Sequence, residues 1–591
     1  MQELISFYTQ EISKHQDKLA RIKKQLFASS MLRLLIFCIA IAGLYFFYGN
    51  TKIIVGIILL TVVVFLYLVT RHGGLQKKRD KIKALIAINE TEVEVQKRDF
   101  YNLPDGKEYK NPLHAYSQDI DLFGRGSFYQ YCNRTALVHG SETLAGLFLE
   151  NDINAIKEKQ GAIEELSQMP KWRQEYSAIA SMTKTETSVH VIEKWLGNYT
   201  PFMPKIMQYI PLVFSILSIG VFCFYFLDKL PESSLIIWLF VGLAITGIYT
   251  RKITRLGANA SKVQNTFEQY NQLLTIIENT EFKSLLLQEK KKQIIAENIK
   301  TSKVLHEFSR HLGALDQNNN VVYLLFGNGF FLRGLATCFK IEKWIAVHGK
   351  AVEKWFQVIA FFDAYNSLGN FAFNHPKYTY PIIEDNSTTI LKAKEAGHPL
   401  LNPESTILNN IDIQKEQFFI ITGANMAGKS TFLRTVSLQI VMANLGLPVC
   451  AKEVYYSPIK LITSMRTTDS LTDDESYFFS ELKRLKFIVD QIQLDRYFIV
   501  LDEILKGTNS TDKAIGSRKF IEKLVRSLST GIIATHDLSL CEVSKELSQV
   551  KNYYFDAEII NNELHFDYKF KEGICKNMNA SFLLKKMQII D

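Results

Sequence analysis

Two glycines, Gly423 and Gly428, bracket a short bend that ends in Lys429 and Ser430, within the run FFIITGANMAGKSTFLRT. Peptide N–H groups in such a bend turn inward, and the positive end of a following helix adds to them, so the natural ligand is a phosphate. In the pattern G-x-x-x-x-G-K-[ST] the lysine reaches the β- and γ-phosphates as a point charge, and the hydroxyl ligates Mg2+. The candidate nucleotide cradle is therefore Gly423, Ala424, Asn425, Met426, Ala427, Gly428, Lys429, Ser430 and Thr431, with ATP and Mg2+ as the expected ligands. A second run, RYFIVLDE, ends in Asp502 and Glu503. There Asp502 suits Mg2+ held through water, beside Ser430, and Glu503 suits orientation of an attacking water. A third apolar run, Gly531 to Thr535, delivers His536. A lone histidine is either structural or a reacting group, and the strand-end position favours a role at the γ-phosphate. Lys429, Glu503 and His536 are thus the candidate catalytic residues, and Ser430 and Asp502 the candidate metal ligands.

For these side chains to meet, the apolar runs Phe418 to Ile421, Tyr497 to Leu501 and Gly531 to Thr535 must be strands of one buried parallel sheet. The carboxyl ends of such strands form a common edge where ligands bind. Between the first two lies DSLTDDESYFFSELKRL, acidic and then amphipathic. Asp469, Asp473, Asp474 and Glu475 read as a solvated helix entry, with Ser476 as its cap.

The rest of the chain is of a different character. At 591 residues with 47% hydrophobic side chains it has material for several cores. Leu34 to Thr51 and Ile53 to Thr70 carry no charged side chain, and only Lys52 separates them. A second apolar pair, Ile206 to Leu227 and Ser233 to Thr250, flanks the connector DKLPE. Two transmembrane hairpins are expected. Arg21, Lys23, Lys24 and Arg33 precede the first pair, and Arg71, Lys77, Lys78, Arg79, Lys81 and Lys83 follow it. Lys205 and the group Arg251, Lys252 and Arg255 flank the second. Basic flanks stay in the cytoplasm, so the hairpins anchor the chain in the cell membrane with its other parts inside. The apolar run continues past AIAG at Ala40 to Gly43, which argues against a cleaved signal peptide. Ile5, Tyr8, Ile12, His15, Leu19, Ile22 and Leu26 follow three- and four-residue steps. They form either a coiled-coil seam, with the helix around Ile82, Ile86 and Val93 folding back as a stalk, or an amphipathic helix lying on the bilayer. The formal charge of +9 serves acidic lipid and nucleic acid equally well. Seven cysteines without a C-x-x-C pair suggest neither a zinc site nor a disulfide framework, and a reducing cytoplasm suits them.

GANMAGKST, ESYFFSE, LDEILKGTNSTD and IIATHD, in this order, resemble the ATPase of the MutS family of mismatch-repair proteins. Asn425, Met426, the run Asp502 to Thr508 and the triplet Ala534 to His536 carry more of that resemblance than the glycine bend does. AGHPLL at Ala396 to Leu401 and FFDAYNSLGNFAF at Phe361 to Phe373 extend it, the latter similar to the end of the family's helical lever. The run Asp119 to Phe148 looks like the start of its core domain. The resemblance implies an α/β ABC-type P-loop ATPase domain plus an all-α lever and core domain, interrupted by the membrane hairpins. The resulting division is 1–33 N-terminal helix, 34–70 first hairpin, 71–118 helix and linker, and 119–205 core. It continues with 206–250 as second hairpin, 251–385 as lever and 386–591 as ATPase with a helical tail. The resemblance further implies a homodimer in which Ser476 of one subunit completes the partner's nucleotide site. On the same ground Gly507 to Asp512 crosses the interface and NMNASFLLKKMQI helps subunits pair.

Departures from the family pattern narrow the expectation. Mismatch-recognising members carry an N-terminal domain with a Phe-x-Glu wedge, which the short segment before the first apolar run does not match, so mismatch specificity is not expected. Thr406 or Ile407 stands where an adenine-stacking aromatic is common. Lys290, Lys291 and Lys292 either touch DNA phosphates or form a solvated face. The leading expectation is a membrane-anchored, dimeric MutS-like ATPase that binds DNA. A transporter is the alternative, against which stand the missing L-S-G-G-Q run and the charge-free spans. An ATP-switched membrane scaffold is the third.

Overall fold

The computed structural model describes residues 2–182, 188–296, 299–317, 323–385, 387–424, 426–466, 477–560, 563–575 and 588–589. Asn425, Asp469, Asp473, Asp474, Glu475, Ser476 and the NMNASFLLKKMQI tail up to Lys586 and Met587 lie outside them, save Gln588 and Ile589.

The chain begins with two long antiparallel helices, Gln2–Phe46 and Thr51–Gln96, joined at a turn that Asn50 caps by accepting from the N–H of Ile53. Each is long and apolar enough to cross a membrane. The fold-back arrangement is the stalk alternative, with His72 Nδ1 3.3 Å from Ser29 Oγ across the pair. The polar ends of both helices dock on the helical core. Tyr8, fully buried, donates its hydroxyl to Asn374 Oδ1 at 2.7 Å, and Glu92 accepts from Arg134 Nε at 2.6 Å and Asn374 Nδ2 at 2.7 Å. The apolar midsections instead expose Leu34, Leu35, Phe37, Leu60 and Leu66.

The second apolar pair is shorter than the sequence suggests. Lys205–Gln208 is a 3-10 turn, Pro211 sits in the first turn of the helix Ile210–Phe226, and Pro231 caps the helix Glu232–Gly247. At about 1.5 Å per residue these helices measure roughly 25 Å, short of a hydrocarbon core of about 30 Å. The next helix, Thr250–Asn279, leaves at 68° to its predecessor. A third apolar piece, Tyr323–Phe331, packs against this pair. Sequence reading placed it inside the lever.

The helical core centres on Val352–Asn374, whose buried face runs nearly all round. Asp363, fully buried on it, accepts from the backbone N–H of Ala136 and Leu137, so a side chain from a distant helix pins the residues that lead into Val138–Leu149. Segment 114–121 bolts this core to the α/β unit. Asp119 accepts from Thr463 Oγ1 at 2.5 Å and from the N–H of Met465 and Arg466, while Thr463 N donates to Ala115 O.

The α/β unit holds a six-stranded sheet of β1 (Phe418–Gly423), β2 (Lys460–Ser464), β3 (Tyr497–Asp502), β4 (Thr530–Ala534), β5 (Val550–Phe555) and β6 (Lys571–Glu572), in the order β6-β5-β1-β4-β3-β2. All pairings are parallel except β5 with β6. Central β1 and β4 are wholly buried, as their unbroken apolar runs require. A second sheet of Ile382–Ile383, Glu453–Tyr456, Thr389–Ala396 and Asn409–Gln414 covers one side of the ligand edge.

Candidate functional site

The register of three neighbouring strands assembles the site. Ala534 of β4 pairs with both Ile421 of β1 and Asp502 of β3, so the residues after each strand emerge at one level. Gly423 leaves β1 at φ 149°, where an added Cβ would lie 2.6 Å from the carbonyl of Phe555, and only glycine allows β5 to approach so closely. Gly428, at φ 103°, starts the helix Lys429–Asn444. The bend between them directs the N-terminus of that helix toward the sheet edge.

Ala424, Met426, Gly428, Lys429, Ser430 and Thr431 line a cavity of about 600 Å3 together with Asp502, Glu503 and His536. Ala427 is buried beneath it. Lys429 Nζ donates to the carbonyls of Gly423 at 2.7 Å and Ala424 at 2.9 Å, and stands 3.3 Å from His536 Nε2. Burial lowers the lysine's pKa, opposed by the carboxylates of Asp502 and Glu503. Burial and the adjacent Lys429 charge also lower that of His536, which favours a neutral ring accepting from the ammonium at Nε2. Ser430 Oγ donates to Asp502 Oδ2 at 2.8 Å. Asp502 is raised by burial, whereas Glu503 is held below the ordinary carboxylate range because the charges of Lys513 and Lys506 outweigh its own burial. The Glu503 carboxylate lies 3.5 Å from Lys513 Nζ and 3.7 Å from Lys506 Nζ.

Three participants were not legible in the chain as candidates. Glu481, buried on the helix Tyr477–Gln491, accepts from the N–H of Leu505 at 2.6 Å and Lys506 at 3.0 Å and so holds the turn that carries Glu503. Its place in ESYFFSE was the only signal. Tyr568, far along the chain, lines the cavity with its ring 3.1 Å from a Cβ placed at Gly428. Asn409 pins that segment, donating to Tyr568 O at 3.0 Å and accepting from Phe570 N at 2.8 Å. Thr406 and Ile407 line the same cavity. Lys513, in the first turn of the helix Ser510–Arg526, completes the basic surround of Glu503.

Comparison with known proteins finds similarity over this part of the chain. The model of MutS domain V matches residues 419–587. Human MutS protein homolog 4 is 28% identical over 299 residues, 49% of this chain and 31% of that protein. The DNA mismatch repair protein MutS of Desulfatibacillum aliphaticivorans is 31% identical over 235 residues, covering 38% and 26%. That of Flavobacterium johnsoniae is 27% identical over 344 residues, covering 56% and 37%. The chain thus spans about a third or less of the length of these first two relatives. The segment 419–587, which holds the cavity built by Lys429, Ser430 and Asp502, is thus a MutS domain V, and over that part the chain is related to the MutS proteins.

Proposed function

We propose that this chain is a membrane-anchored ATPase that works as a homodimer and binds DNA. One observation carries the reading: a lysine, a hydroxyl, two carboxylates and a histidine from three parallel strands meet in a single cavity at a helix N-terminus. In this reading Lys429 exchanges its loop carbonyls for the β- and γ-phosphate oxygens. Ser430 and Asp502, hard oxygen donors 2.8 Å apart, are the residues that would hold Mg2+, which supplies charge neutralisation at the transferring phosphate. Glu503, kept ionised by two lysines, orients the attacking water, and neutral His536 faces the γ-phosphate. Tyr568 offers an aromatic face to the base, the role for which no residue beside Thr406 and Ile407 qualifies.

Ser476 of one subunit would complete the partner's site, and Gly507 to Asp512 would cross between subunits. The apolar pairs anchor the protein with its basic flanks, core and nucleotide site in the cytoplasm. Their lipid-facing runs carry no charged residue to serve a transported solute, which favours an anchor over a carrier. Contacts of the helical core to DNA would fall on phosphates, which carry no base information.

The test is ATP hydrolysis by the purified full chain in lipid nanodiscs with homoduplex, mispaired and four-way-junction DNA at two salt concentrations. DNA-stimulated turnover that weakens steeply with salt and ignores the mispair is expected. Turnover indifferent to every DNA would reject the DNA-binding part and favour the scaffold.

A further inference from the structure

The helices Thr301–Asp316 and Arg333–His348 are packed side by side in the core: Phe308 stacks on Trp344 at 3.8 Å, and Trp344 Nε1 donates to Val304 O at 3.0 Å. What joins them is a stretch with no charged residue between Asp316 and Arg333, ending in VVYLLFGNGFFL. Its described part forms a π-helical turn, Tyr323–Asn328, and a single helical turn, Gly329–Phe331, closed by Leu332 at φ 48°.

This piece is built onto the second apolar pair. Gly329 meets Gly242 backbone to backbone, where a Cβ on Gly242 would lie 2.0 Å from Gly329 O. Phe330 packs on Phe222 with ring centroids 4.9 Å apart. The broken helix leaves carbonyls without helical partners, and a serine of the apolar helix takes one of them up. Ser218 Oγ donates to Phe330 O at 2.6 Å and Ser215 Oγ lies 3.4 Å from Phe331 O. Ser218 in turn accepts from Trp238 Nε1 at 2.7 Å, and Asn328, itself buried, accepts from Gly334 N at 2.7 Å. The opposite side exposes Leu324, Leu325 and Phe326, continuous in character with exposed Leu217 and Phe240 on the pair.

We propose that Tyr323–Leu332 is a re-entrant segment that dips into the hydrocarbon beside the second apolar pair and returns on the same side. The inference rests on the reading of that pair as membrane-inserted. Three observations single out lipid acyl chains as what covers Leu324, Leu325 and Phe326. Irregular backbone survives in hydrocarbon only where protein groups satisfy it, which is what Ser218 does for the Phe330 carbonyl and Asn328 for the Gly334 N–H. In water a solvated turn needs no such partners. Both flanking helices belong to one packed core, so the segment must leave by the face it entered. The pair alone is too short to span with ease, and a third apolar piece widens the inserted body. Its consequence is mechanical: the connection between two packed core helices runs through the bilayer, so motion in the core is felt at the membrane.

An environment-sensitive fluorophore on single cysteines tests this, with the full chain in phosphatidylcholine vesicles containing doxyl-labelled lipid. Cys223, naturally exposed on the second pair, serves as the membrane reference and Lys350→Cys with Cys223→Ser as the aqueous one, with Cys38 and Cys450 replaced by Ala throughout. The probe variant is Phe326→Cys with Cys223→Ser added. The expected result is blue-shifted emission at position 326 and quenching by doxyl lipid comparable with that at Cys223. Quenching at Cys223 with water-like, unquenched emission at 326 would overturn the re-entrant segment and leave the anchor intact. Water-like emission at both would overturn the anchor and the segment with it.

Discussion

Glu481 offers a quantitative test of how the hydrolytic edge is held. The turn after β3 places Glu503 at φ 53° and Leu505 at φ 59°. A residue with a Cβ pays about 1–2 kcal/mol in that region, so the turn stores roughly 2–4 kcal/mol against itself. The Glu481 carboxylate receives the N–H groups of Leu505 at 2.6 Å and Lys506 at 3.0 Å. Hydrogen bonds to a charged acceptor contribute about 1.5–3 kcal/mol each, so the pair offsets the strain with roughly 3–6 kcal/mol. Glu481→Ala removes both acceptors, and the turn relaxes toward ordinary φ, carrying the Glu503 carboxylate away from its place beside Lys513. A loss of about 1.4–2.8 kcal/mol of transition-state stabilisation is on the order of 10- to 100-fold in single-turnover hydrolysis. Nucleotide affinity, which depends on Lys429 and the loop amides, should hardly change. In a Glu503→Gln background the same substitution should add no further slowing, because the two act as a unit. A Glu481→Ala protein that unfolds at the wild-type temperature and hydrolyses ATP within about twofold of wild type would refute the account, as would additive losses in the double variant.

Glu503→Gln should bind ATP near normally while turning over on the order of 100-fold or more slowly, whereas Lys429→Ala should lose affinity itself; nucleotide titration beside single-turnover rates separates them, and equal loss of binding in both would contradict the roles. Mixing Lys429→Ala with Ser476→Ala chains should restore part of the activity that each lacks alone, since one composite site per heterodimer is intact; no recovery in verified heterodimers would place the whole site in one subunit. The Asp363 carboxyl is pushed up to about 7 by burial, although the N–H groups of Ala136 and Leu137 pull it down. Its folded pKa thus lies above the unfolded value of about 4. The stability it contributes is complete below that lower value and is lost as pH rises through about 7. Asp363→Asn should flatten the fall in unfolding temperature across this window, and parallel curves for the two proteins would count against the shifted carboxyl.

Much of the candidate site's assembly was readable because its determinants are local. Gly423, Gly428 and Lys429 depend on backbone freedom and spacing within one bend, and Asp502 and His536 follow unbroken apolar runs whose length and composition already mark buried parallel strands. Strand ends in such a sheet share one edge, so two separate runs predict one site. The long N-terminal apolar helices were equally legible, since charge-free runs of that length declare themselves in the sequence. What tertiary structure alone decided is what depends on partners distant in sequence. Glu481 matters only because the helix Tyr477–Gln491 lies against the turn that follows β3, and Tyr568 reaches the cavity only because Asn409 ties its segment down. The tie between Asp363 and the backbone of Ala136 and Leu137 joins residues more than 200 positions apart, which no periodicity records. Tyr323–Leu332 read as more lever because apolar side chains look alike in a buried helix and in a lipid-facing turn. The difference lies in which groups satisfy the backbone, and Ser218 meets the Phe330 carbonyl only after the chain has folded.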